Sequence, residues 1–193
     1  MPSLVGEVLA ALAASFDSLG VRWYLFGAQA AIFHGVARLT ADVDVTIRPA
    51  SHSIPTLIAA MEAHGFVLRG IASDDFVART SVLPLVHSAT RLPVDVVLAG
   101  PGLEEQILDR AEPHTLDGVR VPVAAVEDLV TMKVLAGRPT DLNDVEGMLR
   151  ARRDEIDLDE VRRTLTLLEA ALSRSDLLLR FEQIFQRVRR SAG

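Results

Sequence analysis

In "DVDVTI", residues 42–47, apolar and polar side chains alternate without a break. That is the two-residue period of a strand, which sends successive side chains to opposite faces. Val43, Val45 and Ile47 share one face; Asp42, Asp44 and Thr46 share the other. The apolar face must be covered, so the chain has to build a sheet with a core behind it. The opposite face must tolerate two carboxylates side by side. Neighbouring carboxylates repel and are commonly kept ionised together by a cation between them. Hard cations such as Mg²⁺ prefer carboxylate oxygen. The polar outer face of an edge strand would look the same. Spacing leaves the two readings level, since aspartate has poor strand propensity.

A second apolar run favours the cation. "LPVDVVLA", residues 92–99, reads as a strand with Val94, Val96 and Leu98 facing one way and Asp95 set among them. A lone carboxylate there is costly unless solvated or paired. If the two strands are neighbours, Asp95 completes a three-carboxylate cluster; otherwise it is an ordinary solvent-facing aspartate. Upstream, Gly27 ends the strand candidate "VRWYLF" and opens the helix candidate "AQAAIFH". Glycine there lets backbone approach a ligand closely, and a helix start offers free N–H groups to an anion. Many strand–helix turns carry glycine for no such reason. Just before a carboxylate pair, it suggests phosphate beside metal.

The rest of the chain supplies the frame. The opening segment "MPSLVGEVLAALAASF" resembles the apolar part of a signal peptide. It lacks a basic start, and Val5, Val8, Leu9, Leu12 and Phe16 fall at helical spacing, so it reads as an amphipathic helix. "SIPTLIAAMEAHG" is a helix with Pro55 in its first turn, and "GLEEQILDRA" is another. "FVLRG" and "FVARTSVLPLVHS" read as strands. "HTLDGVRVPVA" reads as a hairpin turning on Asp117 and Gly118. From Val126 the pattern becomes helical only, over about 125–136, 140–153, 157–172 and 175–190. The expected fold is α/β (α+β): an α/β core over 1–124 and a helical region over 125–193 packed on it. No apolar run is long enough to cross a membrane.

Composition narrows the chemistry. With 49% hydrophobic residues but only 5% aromatics, the core must be aliphatic. The absence of cysteine excludes disulfides and thiolate zinc sites, and fits a cytoplasmic setting. The net charge of −6 argues against a surface that grips nucleic acid all over, though not against a local basic patch. The histidines have no close metal spacing, and there is no G-x-S-x-G, G-x-G-x-x-G or Walker A pattern. Phosphate chemistry here must work through carboxylates and metal. In "VEDLVTMKVLAGR", Lys133 falls on or beside the apolar face marked by Val126, Leu129, Val130 and Val134. Such a lysine wants an anion, unless it snorkels to water. In "RPTDLNDVEGML", Thr140 or Asp141 is the expected N-cap, and capping and dipole effects account for Asp141 and Asp144.

A glycine turn, a D-x-D strand and a distant strand aspartate together resemble the DNA polymerase β-type nucleotidyltransferase superfamily. More narrowly, "GAQAAIFHGVARLTADVDVTI" joined to "VPVAAVEDLVTMKVLAGRPTDLNDV" resembles the AbiEii-type branch, over residues 20–150. Many members of that branch are toxins of toxin–antitoxin or phage-defence systems. The resemblance implies a mixed β-sheet flanked by helices, an NTP substrate and two Mg²⁺ ions. It implies that Asp42, Asp44 and Asp95 hold metal and that Asp95 accepts the acceptor's proton. It implies a phosphate-binding turn at Gly27 and Ala28, and a nucleotide-binding role for Lys133 and Asp141, with Lys133 neutralising the triphosphate. The family's usual serine or glycine after the first glycine is here Ala28, so only its backbone N–H remains for phosphate. Arg38 and Thr40 position phosphate or shape the turn before the strand, the turn being the better reading.

Three functions remain open on this basis. The first transfers NMP to RNA, in the manner of the toxin branch to tRNA, with a cognate antitoxin as partner. The arginines at 150, 152, 153, 162, 163, 187, 189 and 190 would serve RNA phosphates or simply form solvated helix faces. The second nucleotidylates a small hydroxylated molecule; the acidic balance favours a cationic one such as an aminoglycoside. The third is a catalytically silent nucleotide-binding module, against which stands the presence of all three carboxylates.

Overall fold

The structure, a computed structural model, describes residues 1–70 and 74–191. The chain divides into two compact units, Met1–Gln29 with Leu39–Ala124, and Ala30–Arg38 with Ala125–Gly193.

The first unit runs α1 (Leu4–Leu19), β1 (Trp23–Phe26), the opening of α2 (Gly27–Phe33), β2 (Val43–Ile47), α3 (Ile54–Ala63), β3 (Phe66–Leu68), α4 (Asp74–Thr80), β4 (Val82–His87), β5 (Pro93–Leu98), α5 (Leu103–Arg110), β6 (Glu112–Leu116) and β7 (Val119–Val123). The strands form one mixed seven-stranded sheet in the order β3-β4-β5-β2-β1-β7-β6. β2 lies parallel to β5 and antiparallel to β1. The alternation expected for residues 42–47 holds on its apolar side: Val43, Val45 and Ile47 are at most 1% exposed. Their register continues that face across the sheet, Val43 and Val45 beside Val94 and Val96, and these opposite Leu85 and Leu83. The buried stripe of α1 (Val8, Leu9, Leu12 and Phe16) joins this aliphatic core, and α1 packs against α3. The β6–β7 hairpin turns on Asp117 and Gly118, both left-handed (φ 52° and 83°), as a two-residue turn between twisted strands requires.

One segment differs from expectation. "FVARTSVLPLVHS" is not a single strand: Phe76 to Thr80 lie in helix α4, and the strand begins at Val82. β-branched and aromatic residues made the whole run look extended. The Thr80 hydroxyl instead donates to the Phe76 carbonyl, Val77 is buried, and Ser81 breaks the helix at φ 54°. Packing outweighs propensity here.

The second unit contains the rest of α2 and four helices: α6 (Val126–Ala136), α7 (Pro139–Ala151), α8 (Leu158–Leu172) and α9 (Leu177–Ser191). α6 packs against α7, α8 and α9. Leu129, Val134, Val145, Met148, Val161, Leu165, Phe181 and Ile184 supply the core. The expected N-cap of α7 is also corrected. Pro139 occupies the first turn and Arg138 the cap position, so Thr140 and Asp141 lie inside the helix. Proline's fixed φ suits the first helical position and sets the start there.

Candidate active site

In the first unit the carboxylates meet across adjacent strands. Asp44 of β2 is in register with Asp95 of β5, and on its other side with Phe26 of β1. Residues paired across strands point to the same face, so the two aspartates stand side by side, both half-exposed. Asp42 lies just before β2 and is exposed, while Thr46, on the same side of the strand, is 1% exposed. The polar face is therefore open at the start of β2 and closed by Thr46.

Gly27, the residue after β1, lies against Asp44. Its φ is 70°, and a side-chain carbon built on it would run into the Asp44 carboxylate. Any other residue would meet both that collision and the strain of left-handed backbone. The close approach expected at this glycine is thus to Asp44. Ala28 follows it in the first turn of α2. Thr40 shapes the entry to β2: its hydroxyl accepts from the Asp42 N–H at 3.4 Å, and its carbonyl from the Gln29 side chain at 3.3 Å. The turn reading of Thr40 agrees with these bonds.

A residue the sequence left unmarked joins this row. Arg69, at the end of β3, donates to Asp95 through its guanidinium, and both side chains are about 40% exposed (40% and 41%). In sequence it was one arginine at the end of a strand candidate. Only knowledge of which strands are neighbours would have singled it out.

Asp44 and Asp95, adjacent and half-exposed, present the carboxylate oxygens that a hard divalent ion takes. Among the described residues, no three His, Asp or Glu side chains are gathered as a ready metal cage.

The second unit holds a different cluster. Lys133 is buried, and its Nζ lies 2.7 Å from Asp144 and 3.4 Å from Asp141. Arg138 reaches Asp141 at 2.5 Å, and Arg38 reaches Asp144 at 2.6 Å. Burial pushes the Asp141 carboxyl up, but the hydrogen bond from Arg138 and the charges of Lys133 and Arg138 together hold it below the ordinary carboxylate value. One expectation holds and two change. Lys133, beside the apolar face, meets anions and does not snorkel to water. Asp141 and Asp144 are 3% and 4% exposed, so ion pairing explains them better than surface capping. Arg38 does more than shape the turn: its pair with Asp144 ties the segment after α2 to α7. That segment packs tightly on α7: a side-chain carbon on Gly35 would collide with that of Ala151, and Gly147 sits against Val36.

Most of the C-terminal arginines are also paired. Arg150 binds Glu146, Arg152 binds Glu155, Arg162 binds Glu182 and Asp159, and Arg163 binds Glu160. Arg187 stands 4.0 Å from Glu146. Among the described residues, Arg153, Arg189 and Arg190 form no ion pair with a carboxylate, and Arg189 lies over the Phe185 ring. Among the described residues, no helix is long and apolar enough to cross a membrane.

The fold is similar to solved nucleotidyltransferase structures. One is the antibiotic-resistance factor ANT(2'')-Ia in solution, at TM-score 0.57 and 14% identity, over 88% of this chain and 91% of that one. Another is an antigenic nucleotidyltransferase-like protein from Paracoccidioides brasiliensis, at TM-score 0.53 and 18% identity, over 91% of each chain. At these identities the likeness is one of fold. No curated protein matches the sequence. A family model described as "Nucleotidyltransferase of unknown function (DUF6036)" matches residues 9–189.

Proposed function

The chain belongs to this nucleotidyltransferase family, and from that premise we propose that it moves a nucleoside monophosphate from an NTP to an acceptor hydroxyl, in a Mg²⁺-dependent reaction at Asp42, Asp44 and Asp95. The observation that carries the site is the in-register pair Asp44–Asp95 beside Gly27. These three aspartates would hold the metal. When bound, Mg²⁺ would supply positive charge where the phosphate oxygens gather charge in the transition state. The acceptor oxygen attacks the α-phosphorus, pyrophosphate leaves, and Asp95 takes the hydroxyl proton. The backbone at Gly27 and Ala28 faces the phosphates. Buried and spent on Asp141 and Asp144, Lys133 lacks the free ammonium that triphosphate contact asks for. Its part is to hold α6 to α7.

The acceptor favoured is a small hydroxylated molecule. The arginines that would grip RNA are largely neutralised by neighbouring acids, and the net charge of −6 suits a cationic acceptor such as an aminoglycoside. One structural neighbour is itself described as an antibiotic-resistance factor. A second reading, transfer to tRNA, draws on Arg153, Arg189 and Arg190, which have no acidic partner among the described residues. AbiEii-type membership and a toxin role with a cognate antitoxin go with that reading, and a cytoplasmic setting goes with either. The test is incubation with each labelled NTP and Mg²⁺, with bulk tRNA in one series and hydroxylated antibiotics in another. Label on an antibiotic and not on tRNA supports the first acceptor; label on tRNA alone overturns it. No transfer from any NTP to either, with self-labelling also absent, removes the proposed reaction.

A further inference from the structure

The row that carries Asp44 and Asp95 does not end with them. The Arg69 N–H donates to the Pro84 carbonyl at 2.9 Å, which extends the β3–β4 ladder one step past Leu68 and Leu85. Pro84 is opposite Asp95, and Asp95 is beside Asp44. Arg69, Pro84, Asp95 and Asp44 are thus one row across four strands, on one face of the sheet. Pro84 matters to this row because its ring is short. The Arg69 side chain passes over it to reach Asp95 two strands away. Two ionised carboxylates side by side need a neighbouring cation, and Arg69 is the cation this row supplies.

We propose that Arg69 exchanges partners during the reaction. In the empty site it is the counter-ion of Asp95. Once a divalent ion is bound, the Asp95 carboxylate would turn to it, and the freed guanidinium would bind the phosphate oxygens of an incoming nucleotide. The exposure of the pair makes the exchange feasible: an ion pair open to water is weak and readily replaced. Guanidinium is also suited to its second partner, because its planar fork matches phosphate as well as carboxylate. The inference rests on the metal reading of Asp42, Asp44 and Asp95, and adds a nucleotide contact from β3.

Two binding measurements test it, on the full chain. Mn²⁺ binding without nucleotide is followed by the loss of its free-ion spin-resonance signal. Binding of a non-hydrolysable ATP analogue is followed by calorimetry at saturating Mg²⁺. Parent, Arg69→Ala, Arg69→Lys and Asp44→Asn are compared, with thermal melting to confirm that each folds. Arg69→Ala should bind Mn²⁺ about two- to fivefold more tightly, since a competing cation is gone and an exposed ion pair is worth that much. The same variant should bind the analogue roughly tenfold or more weakly, the loss of a charged hydrogen bond. Arg69→Lys, which keeps the charge without the fork, should fall between. Opposite changes in the two affinities support the exchange. Unchanged Mn²⁺ affinity, unchanged nucleotide affinity, or both moving the same way overturns it. If the parent binds Mn²⁺ and Asp44→Asn does not, the metal reading stands whatever Arg69 does. Failure of every variant to bind Mn²⁺ would remove the metal reading and the exchange together.

Discussion

The molecule handles charge in two opposite ways. On the sheet of the first unit, Asp42, Asp44, Asp95 and Arg69 are exposed or half-exposed. In the helical unit, Lys133, Asp141 and Asp144 are 5% exposed or less, and Arg38 and Arg138 complete their pairing from the edge. Exposed charges keep their hydration and change partners at little cost. Buried ones have lost that hydration and depend on one another, so removing a member strands the rest. The first arrangement suits a site that must accept and release ligands. The second suits a fastening between helices, which is the role proposed here for Lys133 and its acids.

The largest test of that contrast lies on the open side. Asp44→Asn should lower turnover by about a thousandfold or more, through loss of charge stabilisation, while leaving the melting temperature nearly unchanged. Steady-state transfer assays and a thermal melt on the same preparation check both halves. Unfolding instead of inactivity would move Asp44 to the structural class.

Lys133→Ala should do the reverse. It takes the central cation from Asp141 and Asp144, which keep Arg138 and Arg38 at the edge, and should cost about 1–3 kcal/mol of stability through the lost charged hydrogen bonds. Denaturant titration reads this directly. A variant that melts like the parent but no longer binds nucleotide would restore Lys133 to the site and erase the contrast.

Acid should reach the closed cluster through Asp141. Its folded value lies below the ordinary 3.8. In the unfolded chain it returns to about 3.9, so the unfolded state binds more protons as pH falls toward that value. The stabilisation is fully present above about pH 4 and is lost as pH drops through the depressed folded value. Asp141→Asn should therefore flatten the acid limb of stability below pH 4, and a limb of unchanged steepness would count against the pairing.

The smallest effect is expected on the surface of α8. Arg163→Ala removes an exposed pair with Glu160 and should leave both melting and transfer to a small acceptor as they were. If it instead weakens tRNA binding and flattens its salt dependence, the arginine pairs open to RNA and the second acceptor reading gains ground.

Much of this could be read along the chain. The period of two in residues 42–47 identified a strand, its core face and the two aspartates on the other. Asp117–Gly118 announced a hairpin because few residue pairs tolerate left-handed backbone twice in succession. The four late helices emerged within a few residues of their observed ends. These are local properties, set by each residue's own backbone preference and the rhythm of its neighbours. The partners of each charge were not local. That Asp95 lies beside Asp44 follows from β5 being inserted next to β2. That Arg69 faces Asp95 follows from β4 lying between β3 and β5 with a proline at the crossing. Lys133 meets Asp144 because α6 and α7 fold back on each other, and the helix at 74–80 overrides a strand-like composition. Strand order, helix pairing and burial depend on how the whole apolar surface is packed away. A charge acquires its partner, and so its role, only after that packing is complete.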